Sequence, residues 1–514
     1  MIYLIHQNNR VLKILNNEKK EVVFNKEKSI AKTLFYLAKT HPDELIIWCH
    51  NNYFDYLNIK ELPNVFHHKR VLASFNVAEN NYLPNQIGYV DLSIYIKINK
   101  KISYATWLMS SDVGGIYAEV LNTILYNLKR HSNFNYFLNS VAKTAMQQGL
   151  FCYSNPNLLL DKPNAINEIK QASTFTLFQF VKQQYKWRWI YILFLSYIIY
   201  EKKFPLFPLL RSLFYRKNKY DFDFTNIPLQ SSRKIINKKE VDVVIPTIGR
   251  KNYLYDVLKD LSVQTLLPKN VIIVEQNPIE DSVSELDYIK NEKWSFNIKH
   301  KFIHQTGVCN ARNIALNLVE SEWTLLGDDD NRFEPNLIEC FFIETEKTGA
   351  NVGTSVYLKP DEKQTYFKTT QTSIFAGGNS FLKSELTKKV KFNLNFEHNY
   401  GEDHEFGMQL RHLGEDIIFY PNIKIKHLKA PFGGFRTNFV HPWGNEETPP
   451  KPSPTLMLLY LKNFTKQQLQ CYKLLLFIRF YKNQPIKNPF RYISEMKKRW
   501  QVSLTWANKL DDNA

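Results

Sequence analysis

Three consecutive carboxylates, Asp328, Asp329 and Asp330, follow directly on the apolar run Trp323-Thr324-Leu325-Leu326-Gly327. Continuous apolar residues suit a short strand in a sheet covered on both faces. Ligands of open α/β sheets gather outside the carboxyl ends of strands. Three acids at such an end repel one another unless positive charge joins them. Mg²⁺ or Mn²⁺ carrying substrate phosphates answers that need, because hard divalent ions prefer oxygen ligands. The competing reading is an acidic loop before a helix whose first turn Pro335 opens.

A second acidic group, Glu402, Asp403 and Glu405, lies between Gly401 and Gly414. Phe406, Leu410 and Leu413 recur at helical spacing, which predicts a helix with one buried stripe, stopped at Gly414. Glu402 and Asp403 then fall at its first turn, where the helix dipole favours negative charge. Capping alone accounts for one acid but not for the cluster.

The elements that must position these acids are legible upstream. Val241 to Ile245 reads as a strand ending in Pro246-Thr247-Ile248-Gly249-Arg250. Apolar residues at 254, 257, 258 and 261 predict a helix, and Val271 to Val274 a second strand, ending in Glu275-Gln276-Asn277. Strand, helix, strand with polar strand ends is the start of a nucleotide-binding half. Arg312-Asn313 opens a further helix running to about Glu320, and an arginine there offers a bound diphosphate forked, charge-assisted hydrogen bonds.

Together these motifs resemble the family 2 glycosyltransferases of GT-A fold over residues 240–430. The resemblance rests on Pro246-Thr247 and Arg250, Ala311-Arg312-Asn313, Asp328-Asp329-Asp330 and Gly377-Gly378-Asn379. It continues through Gly401-Glu402-Asp403-His404-Glu405, Gln409-Leu410-Arg411, Gly414, Tyr420-Pro421 and His427. It implies an α/β, Rossmann-like mixed sheet and an enzyme that takes a nucleotide-sugar donor. It further implies Asp403 as general base, with Glu402 the alternative. Asp328 and Asp330 would serve the metal (Mn²⁺ or Mg²⁺) and the ribose, with His427 as a further metal ligand. Pro246, Thr247, Arg250, Glu275, Arg312, Asp329, Gly378 and Asn379 would face the donor. A single base and one in-line displacement imply inversion at the anomeric carbon. One departure stands out: the second strand ends in Glu275-Gln276-Asn277 where the family often has paired aspartates, which leaves the nucleotide base open.

At 514 residues, 44% of them hydrophobic, the chain exceeds one compact core. Four parts are expected. Residues 1–160 form an α/β domain, with a degenerate transferase-like copy as one reading and Ser110 to Gly115 as its most pointed segment. Residues 161–239 are a helical basic segment and linker, 240–445 the catalytic domain, and 446–514 a C-terminal helical tail. Tyr89 to Ile96 reads as a strand, and Ala430 to Arg436 as a Gly-rich lid or a plain connecting loop. Five scattered cysteines lack metal-ligand spacing and fit a reducing compartment. The N-terminus has no signal-peptide pattern, so a cytoplasmic protein is expected.

Lys and Arg number 67 against 49 Asp and Glu, a net charge of +18. Nucleic acid is an unsuitable partner, since no binding motif or arginine-rich run appears. An anionic membrane surface suits better. Residues 186–217 mix aromatics, aliphatics and cations in a stretch too short to span a bilayer, which predicts either contact with the inner face of the plasma membrane or a buried helix. A second aromatic and basic stretch follows at Leu456 to Lys482. The expected acceptor is a glycan or a lipid-linked glycan in bacterial surface polysaccharide assembly. Two other functions compete. A nucleotidyltransferase would need a Gly-rich phosphate loop after the first strand, and a non-catalytic glycan-binding scaffold would not need both acidic groups.

Overall fold

The computed structural model describes residues 1–7, 9–25, 29–125, 133–161, 170–431 and 439–512. The chain divides into two compact units: Met1–Arg233 with Phe464–Phe480, and Lys234–Asn463 with Tyr481–Ala514. This division falls after Arg233, Asn463 and Phe480, whereas boundaries at 160, 239 and 445 are expected from the sequence. Residues up to 233 belong to the first unit because Phe178, Phe180, Ile190 and Leu193 insert into its core, as do Phe222, Phe224 and Ile227 of the stretch expected to be a linker. The tail is not one piece, since 464–480 joins the first unit and places Cys471 and Leu475 in that core.

The first unit carries β1 (Ile2–Gln7), β2 (Arg10–Leu15), β3 (Leu45–His50), β4 (Val71–Phe75), β5 (Tyr104–Ala105), β6 (Val113–Tyr117) and β7 (Phe151–Ser154), in the sheet order β2-β1-β3-β6-β4-β7-β5. Strands β1 and β3 run parallel, as do β4 and β7, and β6 runs antiparallel between the two pairs. Tyr89 to Ile96 is no strand. A 3₁₀ turn occupies Asn85–Tyr89, and Tyr89, Val90 and Ile96 are simply buried.

The second unit carries β8 (Val241–Ile248), β9 (Asn270–Gln276), β10 (Asn297–Ile303), β11 (Trp323–Gly327), β12 (Asn331–Phe333), β13 (Val352–Leu358), β14 (Thr370–Gln371), β15 (Asn379–Lys383) and β16 (Ile418–His427). The sheet order is β10-β9-β8-β11-β15-β13-β16-β12, with β14 on β16. Strands β8 to β11 run parallel, and β15 runs antiparallel between β11 and β13. Central strands buried on both faces explain the unbroken apolar runs. The one acid inside β8, Asp242, is buried without penalty in unmade bonds, since it accepts from Asn270 Nδ2 (2.8 Å), Ser321 Oγ (2.6 Å) and Glu320 N (2.7 Å). The helix Lys251–Ser262 buries Leu254, Val257, Leu258 and Leu261, the four residues its periodicity picks out. Helix Val308–Leu316 stops short of Glu320, and helix Leu337–Thr348 begins two residues after Pro335.

Within each sheet a five-strand core repeats one plan. In the first, β1-β3-β6-β4-β7, and in the second, β8-β11-β15-β13-β16, the strands agree in order, direction and sequence along the chain. The flanks differ. A hairpin partner, β2, closes the first core where the parallel strands β9 and β10 extend the second.

Candidate active site

Five strands of the second unit, β8, β9, β11, β13 and β16, reach one cavity of about 550 Å³. Strand β8 delivers Pro246, Thr247 and Arg250, β11 delivers Asp328, Asp329 and Asp330, β13 delivers Tyr357, and β16 delivers His427. Arg312, from helix Val308–Leu316, and Glu402 and Asp403, from helix Glu402–His412, complete the wall. Gly401 caps the latter helix at φ 118°, a left-handed conformation that a side chain strains. Its buried apolar side chains are Phe406, Met408 and Leu410, whereas Leu413, expected in the buried stripe, caps the C-terminal end and is exposed.

The three aspartates do three different things. Asp329 is buried and anchored, accepting from Thr247 Oγ1 (2.7 Å) and Arg250 Nη1 (2.7 Å). Burial pushes it up to about 6 despite both bonds. Asp330 accepts from Ala430 N at 2.8 Å through Oδ2, while its buried Oδ1 accepts no hydrogen bond and faces His427 Nε2 at 3.4 Å. Burial would raise this carboxyl, but His427, the Ala430 N–H and Arg250 outweigh it and hold the group below the ordinary carboxylate range. Asp328 accepts from Arg312 Nη2 at 3.0 Å, and its other oxygen lies 2.9 Å from the Tyr357 hydroxyl. The Tyr357 ring stacks on His427, centroids 4.7 Å apart and 7° from parallel.

Ligand atoms of Asp328, Asp330 and His427 lie within 4.8 Å of one another. The orphaned Oδ1 of Asp330 belongs to this group, and buried acceptors without a partner are costly unless something fills the role. Two carboxylates and an imidazole are a donor set that Mn²⁺ or Mg²⁺ accepts, so these residues fit such an ion.

Arg312 links the two acidic groups. Its Nη2 reaches Asp328 and its Nη1 reaches Asp403 Oδ1 at 3.2 Å, while Phe392 lies under the guanidinium at 5.1 Å. Burial opposes its charge, but Asp403, Asp328 and Glu402 together raise its pKa. Burial raises Asp403 above the ordinary carboxylate range against the pull of Arg312, and burial together with Asp403 lifts Glu402 to about 7. A carboxylate in that state is poised to take a proton near neutral pH.

The glycine pair Gly377-Gly378 makes room for both acids. A Cβ on Gly378 would stand 2.2 Å from Asp328 Oδ2, and one on Gly377 2.4 Å from Arg312 and 2.7 Å from Asp403 Oδ1. Asn379, in contrast, is buried in β15, with its amide donating to the Ser355 carbonyl at 2.8 Å. Glu275 is held by His300 at 2.9 Å and Glu285 N at 3.0 Å, while the next residue, Gln276, lines the cavity. These two candidates thus stand behind the wall rather than in it.

Sequence reasoning missed Tyr357, Gln276 and Glu397. Glu397 lines the cavity and accepts from Cys309 N (3.0 Å) and Asn310 N (2.9 Å), capping the Val308–Leu316 helix from ninety residues away. Nothing local announces that contact. Tyr357 sits one residue from the end of β13, which β15 separates from β11, so no local pattern joins it to the acids. Most of the expected lid, residues 432–436, lies outside the described residues.

Residues 242–411 match the sequence model of glycosyl transferase family 2. An uncharacterised glycosyltransferase of Rickettsia conorii is 24% identical over 147 residues, covering 28% of this chain and 24% of that protein. The glycosyltransferase GlyG of Streptococcus pneumoniae serotype 4 is 21% identical over 146 residues, covering 28% of this chain and 46% of that protein. The chain thus spans less than half the length of either relative. Among solved structures, a fragment of Staphylococcus aureus TarS in complex with UDP-GlcNAc overlaps 51% of this chain and 81% of its own, at 16% identity and TM-score 0.39. The motif order, the mixed sheet and the family match agree, and the segment 242–411 is a glycosyl transferase family 2 domain of GT-A type.

Proposed function

We propose that this chain is an inverting glycosyltransferase that moves a sugar from a nucleoside-diphosphate sugar to an acceptor hydroxyl. The observation that carries the reading is one cavity holding both acidic groups, with Asp328, Asp330 and His427 converging and Arg312 tying Asp328 to Asp403. Mn²⁺ or Mg²⁺ would be held by Asp328, Asp330 and His427, and when bound it supplies positive charge against the departing diphosphate. Asp403 accepts the proton of the acceptor hydroxyl. The freed oxygen bonds to the anomeric carbon as that carbon's bond to the diphosphate oxygen breaks, so the configuration inverts. Arg312 holds Asp403 in place, and Asp329 fixes Arg250 and Thr247 at the edge of the cavity. Glu402 is the second candidate base, favoured by its place in the cavity and its raised pKa.

The setting we propose is bacterial surface-glycan assembly on the inner face of the plasma membrane, with a glycan or lipid-linked acceptor. Bacterial relatives and a net charge of +18 support it. The shared five-strand plan supports reading the N-terminal unit as a transferase-like copy without the acids of the site. The direct test offers a panel of nucleotide sugars to the purified chain with Mn²⁺ or Mg²⁺ and reads released nucleoside diphosphate. Release with one donor class, lost on chelation, is the expected result. Pyrophosphate release from a nucleoside triphosphate and a sugar 1-phosphate would instead mark a nucleotidyltransferase.

A further inference from the structure

The first unit carries an apolar ridge and a basic groove that the transfer chemistry does not use. Helix Trp189–Ser196 continues through a π turn at Tyr197–Glu201, and helix Leu206–Leu213 follows. Their inner faces are spent on the core, through Ile190, Leu193, Tyr197 and Leu209. Their outer faces are apolar too. Tyr191, Leu195 and Ile199 succeed one another every fourth residue in the open, and Leu206 and Leu210 do so on the second helix, with Leu213 three residues further on. The largest exposures are aromatic: Trp187 60%, Phe204 68%, Phe207 74% and Phe214 88%. Helices that are apolar all round are buried or lie in lipid, and a soluble surface seldom leaves so much contiguous apolar area open.

Cations border this ridge. A groove of about 790 Å³ is lined by Lys182, Lys186, Arg188, Arg216, Lys217 and Lys219, and it shares Trp187 and Leu213 with the ridge. None of the six is ion-paired among the described residues. From 182 to 219 the chain has nine Lys and Arg and one acid, Glu201, which accepts a hydrogen bond from Tyr89 at 2.8 Å. Among the described residues no helix is long and apolar enough to cross a membrane.

We infer that this face docks on an anionic phospholipid bilayer, with the aromatic ridge at the acyl boundary and the groove against headgroup phosphates. Charge complementarity selects that occupant. A second copy of the chain would bring six cations against six, whereas an anionic interface meets the apolar and the basic requirement together. The inference does not depend on the transfer reaction and stands whichever donor is used.

The test is co-sedimentation of the full chain with phosphatidylcholine vesicles, with and without phosphatidylglycerol. Binding to the anionic vesicles alone, weakened by added salt, is expected. Lys186→Gln with Arg216→Gln and Lys217→Gln should weaken it on the order of a hundredfold, from the usual contribution of each surface cation. Phe207→Ser with Phe214→Ser should weaken it by at least about tenfold. Both sets lie on exposed positions, so melting temperature and transfer activity on a soluble acceptor should hold. Trp189 and Phe194 pack against the core and are unsuitable for this purpose. Equal binding to neutral vesicles, no binding to either, or a dimer that Phe207→Ser with Phe214→Ser dissolves would overturn the inference.

Discussion

The two sheets of this chain follow the same five-strand plan but end in different chemistry. In the C-terminal sheet, the strand β11 gives way to Asp328, Asp329 and Asp330, and the residues before β15 are Gly377 and Gly378. In the N-terminal sheet, the matching strand β3 ends at His50 and is followed by Asn51 and Asn52, and the residues before β6 are Ser111 and Asp112. Two polar groups there, His6 and Asp112, are used internally. His6 Nε2 pairs with the Ser111 carbonyl at 2.7 Å, and burial lowers that imidazole to about 4, so it stays neutral. Asp112 accepts from Val77 N at 3.0 Å, and burial raises it to about 6. The comparison teaches that the plan supplies only strand ends. A site arises where acids are left with unfilled oxygens and where glycines leave them room.

The comparison breaks most easily at Asp330. Asp330→Ala should abolish transfer because a ligand is lost, at a stability cost of about 1–3 kcal/mol from the stranded Ala430 N–H. Chelation should mimic it, and full activity in chelator would remove the metal from the account. Gly378→Ala should come next, since its Cβ would press on Asp328 at 2.2 Å. A loss of transfer with a weakened response to Mn²⁺ is expected, and normal kinetics would show that the close approach is irrelevant. In the other sheet, Asp112→Ala should leave the transfer rate alone. It should cost about 1–3 kcal/mol of stability by stranding the Val77 N–H, read by denaturant unfolding. A lost transfer rate at normal stability would make the N-terminal unit part of the chemistry.

The smallest effect concerns pH. Glu402 is lifted to about 7 from an ordinary 4.5, so the folded protein keeps a proton that the unfolded chain has lost. The stabilisation this gives is complete below the ordinary value and disappears as pH rises through the raised one. In metal-free buffer the melting temperature should therefore fall between roughly pH 5 and pH 8, and Glu402→Gln should flatten that fall. An unchanged slope would place Glu402 in contact with water.

The acids, their strands and the helix that carries Asp403 were legible in the sequence because each rests on local pattern. A buried strand reads as an apolar run, and a helix reads as spacing, so β8, β11 and helix Lys251–Ser262 fell where periodicity put them. Contacts between distant segments were not legible. Glu397 caps a helix at 308, Tyr357 stacks on His427, and the 464–480 helix crosses into the first unit, all without a local mark. Ambiguity of face misled in the same way. Glu275 and Gln276 are neighbours on one strand end, yet only the second reaches the cavity, since alternate residues of a strand point to opposite sides. A transferase-like copy in residues 1–160 was one expected reading, but the repeated sheet plan itself was not legible, because order within a sheet depends on pairings that no single segment encodes.

The central claim is that Asp403 takes the acceptor's proton across a cavity whose other acids hold the donor. Asp403→Asn keeps size and most hydrogen bonding but cannot accept that proton. Turnover should fall by about 10²–10⁴-fold, while nucleotide affinity, read by calorimetry on the same protein, stays close to the parent's. Near-normal turnover by Asp403→Asn, with Glu402→Gln severely impaired, would contradict the assignment and pass the role to Glu402.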